Sequence, residues 1–254
     1  INAKRYFLND IDTNLINLHK FLLGADKDKF FNDIFKLIKK YNLSNSFKNY
    51  TPPDELKNKF KKTYFAVFNK ENYIKLKNDF NADKNDILRL YLLLIYGFNH
   101  MFRFNAKGEF NLPVGNVDFN KNVVNALNDY FDFIKERNLI FSNLDFEQFL
   151  GEIEFKKGDF VYFDPPYLIS SSEYNKFWSK QSEIRLYYLL DKLDQNGVSW
   201  GLSNLLIHKN QKNELLEKFM KKYQIYQIKS NYISFNDNSI KNSVEVFVKN
   251  EKRI

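Results

Sequence analysis

The residues best equipped for chemistry in this 254-residue chain lie in one stretch, Gly158-Asp159-Phe160-Val161-Tyr162-Phe163-Asp164-Pro165-Pro166-Tyr167. Asp164 supplies a carboxylate, and the two prolines after it stiffen the turn that presents it. The run Phe160-Val161-Tyr162-Phe163 is β-branched and aromatic, bounded by Gly158 and the prolines, and predicts a fully buried strand of a parallel sheet. Asp164 then stands at the carboxyl end of that strand, where open α/β sheets place their ligand crevice. A second acid, Asp10, ends a short strand expected over residues 5–9. Such an acid can accept hydrogen bonds from a ribose diol, but Asp10 or Asp12 can equally cap the helix expected over residues 11–23. A third group lies between residues 96 and 116, where Asn, Gly and Pro replace helical periodicity. There Ala106-Lys107-Gly108 reads as a turn joining two short strands, with Arg103 and Asn105 on one arm and Glu109 and Asn111 on the other. A hairpin of this composition can contact phosphates and base edges, and it can also be ordinary surface.

The elements that must position these groups alternate. Residues 27–95 are helical in pattern, with Phe30, Phe31, Ile34, Leu37 and Ile38 at three- and four-residue spacing, a break at Thr51-Pro52-Pro53-Asp54, and a nearly all-apolar helix over 87–95. A helix over 125–136 precedes a buried strand over 139–143 and a short helix opened by Asp145-Phe146. After the strand that ends at Asp164 come a loop over 168–179 carrying Tyr174 and Phe177, a helix over 183–193, a strand over 198–203, a helix over 212–223, and strands near 226–228 and 244–248. Strands alternating with helices predict an α/β domain with a mostly parallel sheet.

The bulk properties exclude several classes. Cysteine is absent and histidine numbers three, so disulfides, thiolate nucleophiles and a metal cluster are not expected. No apolar run reaches the eighteen or so residues of a membrane span, and no signal peptide is visible, so a cytoplasmic protein without membrane contact is expected. A net charge of +8 and an isoelectric point near 9.2 favour an anionic partner or simply a basic protein. Aromatics at 18% would suit base stacking, although codons rich in A and T would also enrich Lys, Asn, Ile and Phe.

Asp164-Pro165-Pro166-Tyr167 after such a strand resembles the catalytic motif of amino methyltransferases acting on exocyclic nitrogens of DNA bases. The whole chain is similar to the Dam-type DNA adenine-N6 methyltransferases, especially those of bacteriophages. The likeness runs through Leu8-Asn9-Asp10-Ile11 with Leu15-Ile16-Asn17-Leu18, Gly97-Phe98-Asn99, and Arg103 to Phe110 with Pro113 and Gly115. It continues from Gly158 through Trp178 and includes Ser203-Asn204.

That resemblance implies a Rossmann-like, S-adenosylmethionine-dependent methyltransferase sheet with an inserted helical and β-hairpin DNA-recognition lobe. Residues 1–26 and 123–254 would form the catalytic domain and 27–122 the lobe. The target base would be flipped from double-stranded DNA. The Asp164 carboxylate and Pro165 carbonyl would hold its amino hydrogens and turn the nitrogen lone pair toward the sulfonium methyl, with Pro166 stiffening the turn and Tyr167 stacking on the ring. Asp10 would hold the cofactor ribose, Asp145 and the backbone at Phe146 its adenine, and Asp164 would border the cofactor. Arg103, Asn105 and Lys107 would contact DNA, and Tyr174 would close over the flipped base. No metal is implied, and the chain is expected to be a monomer or weak dimer. The absence of cysteine fits, since cytosine-C5 methylation needs a thiolate. Cytosine N4 remains an alternative acceptor for the motif alone.

The chain departs from the family pattern twice. The glycine-rich cofactor loop that precedes the first acidic strand in the family is not present between Ile1 and Lys4, and the chain starts without Met. We expect a truncated chain; a second chain supplying the loop, or a DNA-binding or accessory subunit lacking its own cofactor site, are the alternatives. GATC-specific members carry a base-reading arginine just after Pro-x-Gly, whereas Asn116-Val117-Asp118 stands here with no basic residue before Lys121, so recognition of GATC is not expected.

Overall fold

A computed structural model describes residues 3–170, 178–228 and 243–250. The chain divides into two compact units, Ile1–Phe149 and Leu150–Ile254.

The first unit begins with strand β1 (Tyr6–Asn9) and helix α1 (Thr13–Gly24). Five further helices follow: α2 (Lys27–Lys40), α3 (Asp54–Phe60), α4 (Tyr64–Ala82), α5 (Ile87–Tyr96) and α6 (Lys121–Lys135). Strand β2 (Leu139–Ser142) pairs parallel with β1, Tyr6 opposite Leu139 and Asn9 opposite Ser142. The apolar periodicity of α2 and α5 is spent on a shared core. Phe30, Ile34 and Ile38 of α2 and Leu90, Leu92 and Leu93 of α5 are buried together with Tyr73, Leu76 and Phe80 of α4. Phe30 sits edge-on to Tyr91 and to Phe131, each at 5.5 Å.

The segment after α5 turns sharply because two glycines lie back to back. Gly97 bridges Val114, the Gly115 N–H donates to the Tyr96 carbonyl at 2.7 Å, and the Phe98 N–H donates to the Pro113 carbonyl at 2.9 Å. A Cβ at Gly97 would stand 2.5 Å from both Leu112 Cδ2 and the Leu93 carbonyl oxygen. Gly97→Ala should therefore cost about 1–3 kcal/mol by overpacking, read as a lower urea midpoint. Gly24→Ala, where nothing lies within 4 Å, is the control expected to leave the midpoint unchanged or higher.

The second unit holds strand β3 (Phe160–Phe163), helix α8 (Lys180–Gln195), strand β4 (Ser199–His208), the short β5 (Gln211–Lys212), helix α9 (Glu214–Met220), and strands β6 (Gln224–Ile228) and β7 (Val244–Lys249). Helix α7 (Phe146–Gly151) joins the chain between β2 and β3. The sheet order is β3-β4-β7-β6, with β5 pairing β4. One face is dry: Trp200, Leu202, Val246 and Val248 are buried, as are Leu186 and Leu190 of α8 and Leu216 of α9.

Three expectations need correction. The sheet of the second unit is mixed, because β3 runs parallel to β4 while β4, β7 and β6 are antiparallel neighbours; the parallel pair β1 and β2 belongs to the first unit. The final strands carry no helical pattern between them, and direct antiparallel pairing needs no crossover. Nor is β3 fully buried. Phe163 is, but Phe160 is 42% and Tyr162 56% exposed, two alternate residues that share one face of the strand. The hairpin near Lys107 is likewise reduced to a single bridge, Phe104 opposite Phe110, around a turn in which Gly108 takes φ +67°.

Candidate active site

Parallel pairing puts the ends of β1 and β2 side by side, and side chains zip them beyond the last strand residues. Asn9 exchanges two bonds with the Leu144 backbone, at 2.9 and 3.0 Å. Asn143 Nδ2 donates to the carbonyls of Asp10 and Ile11 at 2.8 and 3.0 Å, and the Thr13 hydroxyl donates to Asn143 Oδ1 at 2.7 Å. Asp10 and Asp145 thus leave the same end of one strand pair. The cap of α1 is Asp12, whose carboxylate accepts from the N–H groups of Asn14 and Leu15. Asp10 is left outside the helix; its Oδ1 accepts from the Asp12 N–H at 2.7 Å. Asp145 Oδ1 accepts from the Glu147 N–H at 3.0 Å, so this acid does begin α7 as a cap, directly before Phe146. Below Asp10 opens a cleft of about 330 Å³ lined by Asn9, His19, Tyr130 and Phe141 among others. The sequence reading missed His19. Its ring stacks on Phe141 at 5.1 Å, its Nδ1 lies 2.7 Å from the Tyr130 hydroxyl, and burial lowers its pKa against the opposing pull of Asp10.

In the second unit, Asp164 follows directly on Phe163, the residue opposite Leu202 of β4. The Tyr162 hydroxyl lies 2.8 Å from Ser203 Oγ. Tyr167 returns over the strand ends, its hydroxyl 3.2 Å from Asp164 Oδ1 and 2.9 Å from Glu245 Oε1 on β7. Asp164 is exposed as a residue, yet one side of its carboxyl faces protein. Burial raises the pKa of that carboxyl and the Glu245 charge adds to the rise, while the Tyr167 hydrogen bond opposes both. Pro165 and Pro166 are half-buried beside it. Glu245 has no sequence signal of its own, because only the sheet order brings it to the motif.

The hairpin residues are built into their own turn. Arg103 Nε donates to Asn111 Oδ1 at 3.0 Å and Nη2 to the Asn111 carbonyl at 2.6 Å. Asn105 donates to Glu109 Oε2 at 2.7 Å and accepts from the N–H groups of Lys107 and Glu109. Lys107 is exposed. Directly after Pro113-Val114-Gly115, Asn116 Oδ1 accepts from the N–H groups of Phe65 and Ala66 at 3.0 and 3.3 Å, and Nδ2 donates to the Lys62 carbonyl. It thereby caps α4, whose own preceding residue, Thr63, makes no side-chain cap. Asp118, 2% exposed, receives the Ser46 N–H at 2.6 Å. Tyr174 and Phe177 lie outside the described residues.

A mixed α/β chain with acids at the tips of its parallel strands, one of them locked before two prolines and a tyrosine, is consistent with a methyltransferase fold. The chain belongs to the D12 class N6 adenine-specific DNA methyltransferase family, whose model matches residues 1–233. It is similar to the type II methyltransferase M.FokI of Planomicrobium okeanokoites, at 31% identity over 98% of this chain and 36% of that protein. The modification methylase StsI of Streptococcus sanguinis is 27% identical over the same shares. The type II methyltransferase M.MjaIII of Methanocaldococcus jannaschii is 29% identical over 79% of this chain and 65% of that protein. The chain spans about a third of the length of the first two relatives. No helix among the described residues is long and apolar enough to cross a membrane, and no group of residues there could hold a metal ion.

Proposed function

We propose that the protein transfers a methyl group from S-adenosylmethionine to the N6 amino group of a flipped adenine in double-stranded DNA. The observation that carries this is Asp164 at the carboxyl end of β3, followed by a Pro165-Pro166 turn that brings Tyr167 back beside it. An adenine amino nitrogen is a weak nucleophile because its lone pair is delocalised into the ring. An acceptor carboxylate and the Pro165 carbonyl, both aimed at its hydrogens, favour the tetrahedral form and fix the direction of the lone pair. Tyr167 offers the ring face for stacking.

The strand ends of the first unit fit the nucleoside part of the cofactor: Asp10 is free of helix capping and lines the cleft with His19 and Phe141, while Asp145 and Phe146 follow the end of the neighbouring strand β2. When bound, the cofactor supplies an electrophilic sulfonium methyl. In this reading Asp10 accepts the ribose hydroxyls through the oxygen not used by Asp12. Asp10→Asn keeps the Asp12 bond and loses that acceptor, so S-adenosylmethionine affinity should fall by about tenfold to a hundredfold in calorimetry. DNA affinity should stay the same.

We assign the methyltransferase sheet, Rossmann-like in connection, to residues 1–26 and 123–254, and the DNA-recognition lobe to 27–122. Lys107 and the remaining N–H groups of Arg103 contact the DNA backbone, and Asn105 holds the turn that presents them. The test is to incubate full-length protein with duplex DNA and S-adenosylmethionine and to sequence the product for modified bases. Methylated adenine in a defined context supports the reading. Unmodified DNA that is nonetheless bound returns the chain to a DNA-binding role.

A further inference from the structure

Glu245 stands on β7, two strands from Asp164, and its Oε1 lies nearer the Tyr167 hydroxyl than Asp164 Oδ1 does, at 2.9 against 3.2 Å. A phenol has one hydrogen to give, so Tyr167 can serve Glu245 or Asp164 but not both. Whenever it serves Asp164, one oxygen of that carboxylate is spent on the protein instead of on the amino group of a substrate. We infer that Glu245 is a positioning residue of the methyl-transfer site: it takes the Tyr167 hydrogen, ties the tyrosine ring to β7, and leaves the Asp164 carboxylate open to the adenine amino group. This rests on the role given to Asp164 above.

Two consequences follow from the geometry. Without Glu245, Tyr167 turns its hydrogen to Asp164 and the site competes with its own substrate. Glu245 also faces Asp164 as a like charge across that hydroxyl. Among the described residues, the ionisable groups acting on the Asp164 carboxyl are Tyr167 of its own loop, which lowers its pKa, and Glu245 of β7, which raises it. Asp164 must be ionised to accept an amino hydrogen, so activity falls as pH drops through its midpoint. Neutralising Glu245 removes one cause of the rise and moves that limb to lower pH.

The experiment uses the full-length protein with Glu245→Ala, Glu245→Gln, Tyr167→Phe and the double variant Tyr167→Phe/Glu245→Ala, in single-turnover methyl transfer across pH. Glu245→Ala should slow transfer by about tenfold with KM for DNA little changed. Glu245→Gln, which keeps an acceptor oxygen, should lose several-fold less, and its acid limb should move down. In the Tyr167→Phe background the alanine change should cost nothing further. Equal losses from Glu245→Ala in both backgrounds, or an acid limb unmoved in Glu245→Gln, would overturn the inference. A second readout needs no turnover: carbon-13 NMR titration of the Asp164 carboxyl in protein without DNA. A lower midpoint in Glu245→Gln supports the coupling even if the wild type methylates no DNA, and an unchanged midpoint overturns it.

Discussion

Asp164→Ala is expected to reduce methyl transfer by at least about 10³-fold, the order seen when a preorganised polar contact that acts mainly in the transition state is deleted together with its orienting effect. The loss should be in the rate and not in folding or DNA affinity. Asp164 is exposed, holds up no helix, and leaves Tyr167 still bonded to Glu245 at 2.9 Å. In the proposed reading DNA affinity rests on basic groups elsewhere in a chain of net charge +8. Asp164→Asn keeps one acceptor oxygen and should fall between wild type and alanine. Transfer of labelled methyl from S-adenosylmethionine into duplex DNA under single-turnover conditions measures this. An alanine variant retaining a tenth or more of the wild-type rate would remove Asp164 from its assigned role.

The second large effect concerns stability. Glu183 of α8 is fully buried and accepts four hydrogen bonds. Its Oε2 takes the Trp178 indole N–H at 2.6 Å, and its Oε1 takes the Tyr187 hydroxyl at 2.5 Å, Asn213 at 2.9 Å and Asn204 at 3.1 Å. One carboxyl therefore fastens the chain just before α8, the middle of β4 and the residue that caps α9, whose other side-chain atom receives the Leu216 N–H. Glu183→Ala strands these donors in a dry interior and should cost about 3–5 kcal/mol. Glu183→Gln keeps one acceptor but turns an amide N–H toward either the indole or the asparagines, two donors facing each other, and should cost about 1–3 kcal/mol. Urea midpoints at matched m-values rank the two. If alanine proves milder than glutamine, the carboxyl does not hold these elements.

What the sequence disclosed is what local chemistry determines. The apolar run ending at Phe163, the stop at Pro165, and the strands before Asp10 and Asp145 are short-range patterns, and the structure places each acid at a strand end as expected. The cap of α1 was not decidable in advance, because Asp10 and Asp12 are two residues apart and either can reach the helix N–H groups; only the backbone geometry selects Asp12. The exposure of Phe160 and Tyr162 was hidden for another reason. Aromatic and β-branched residues favour strands, but they do not record how many faces of a sheet are covered. Glu245 was hidden most completely. It is separated from Tyr167 by 78 positions, and their contact depends on β7 inserting next to β4. Glu183 reads in sequence as one more polar residue in the first turn of a helix.

The cap supplied by Asn116 bears on how such a protein could be retargeted. The side chain of Asn116, where the sequence resemblance led us to look for a base reader, is a fastener for α4, spanning 51 positions to reach Phe65. Grafting an arginine onto it would unfasten a helix in the attempt to add a letter to the recognition code. In the proposed reading, new sequence preference would come at lower cost from the exposed Lys107 side chain, since the turn's bonds to Lys84 and to Asn81 of α4 run through the backbones of Lys107 and Phe110.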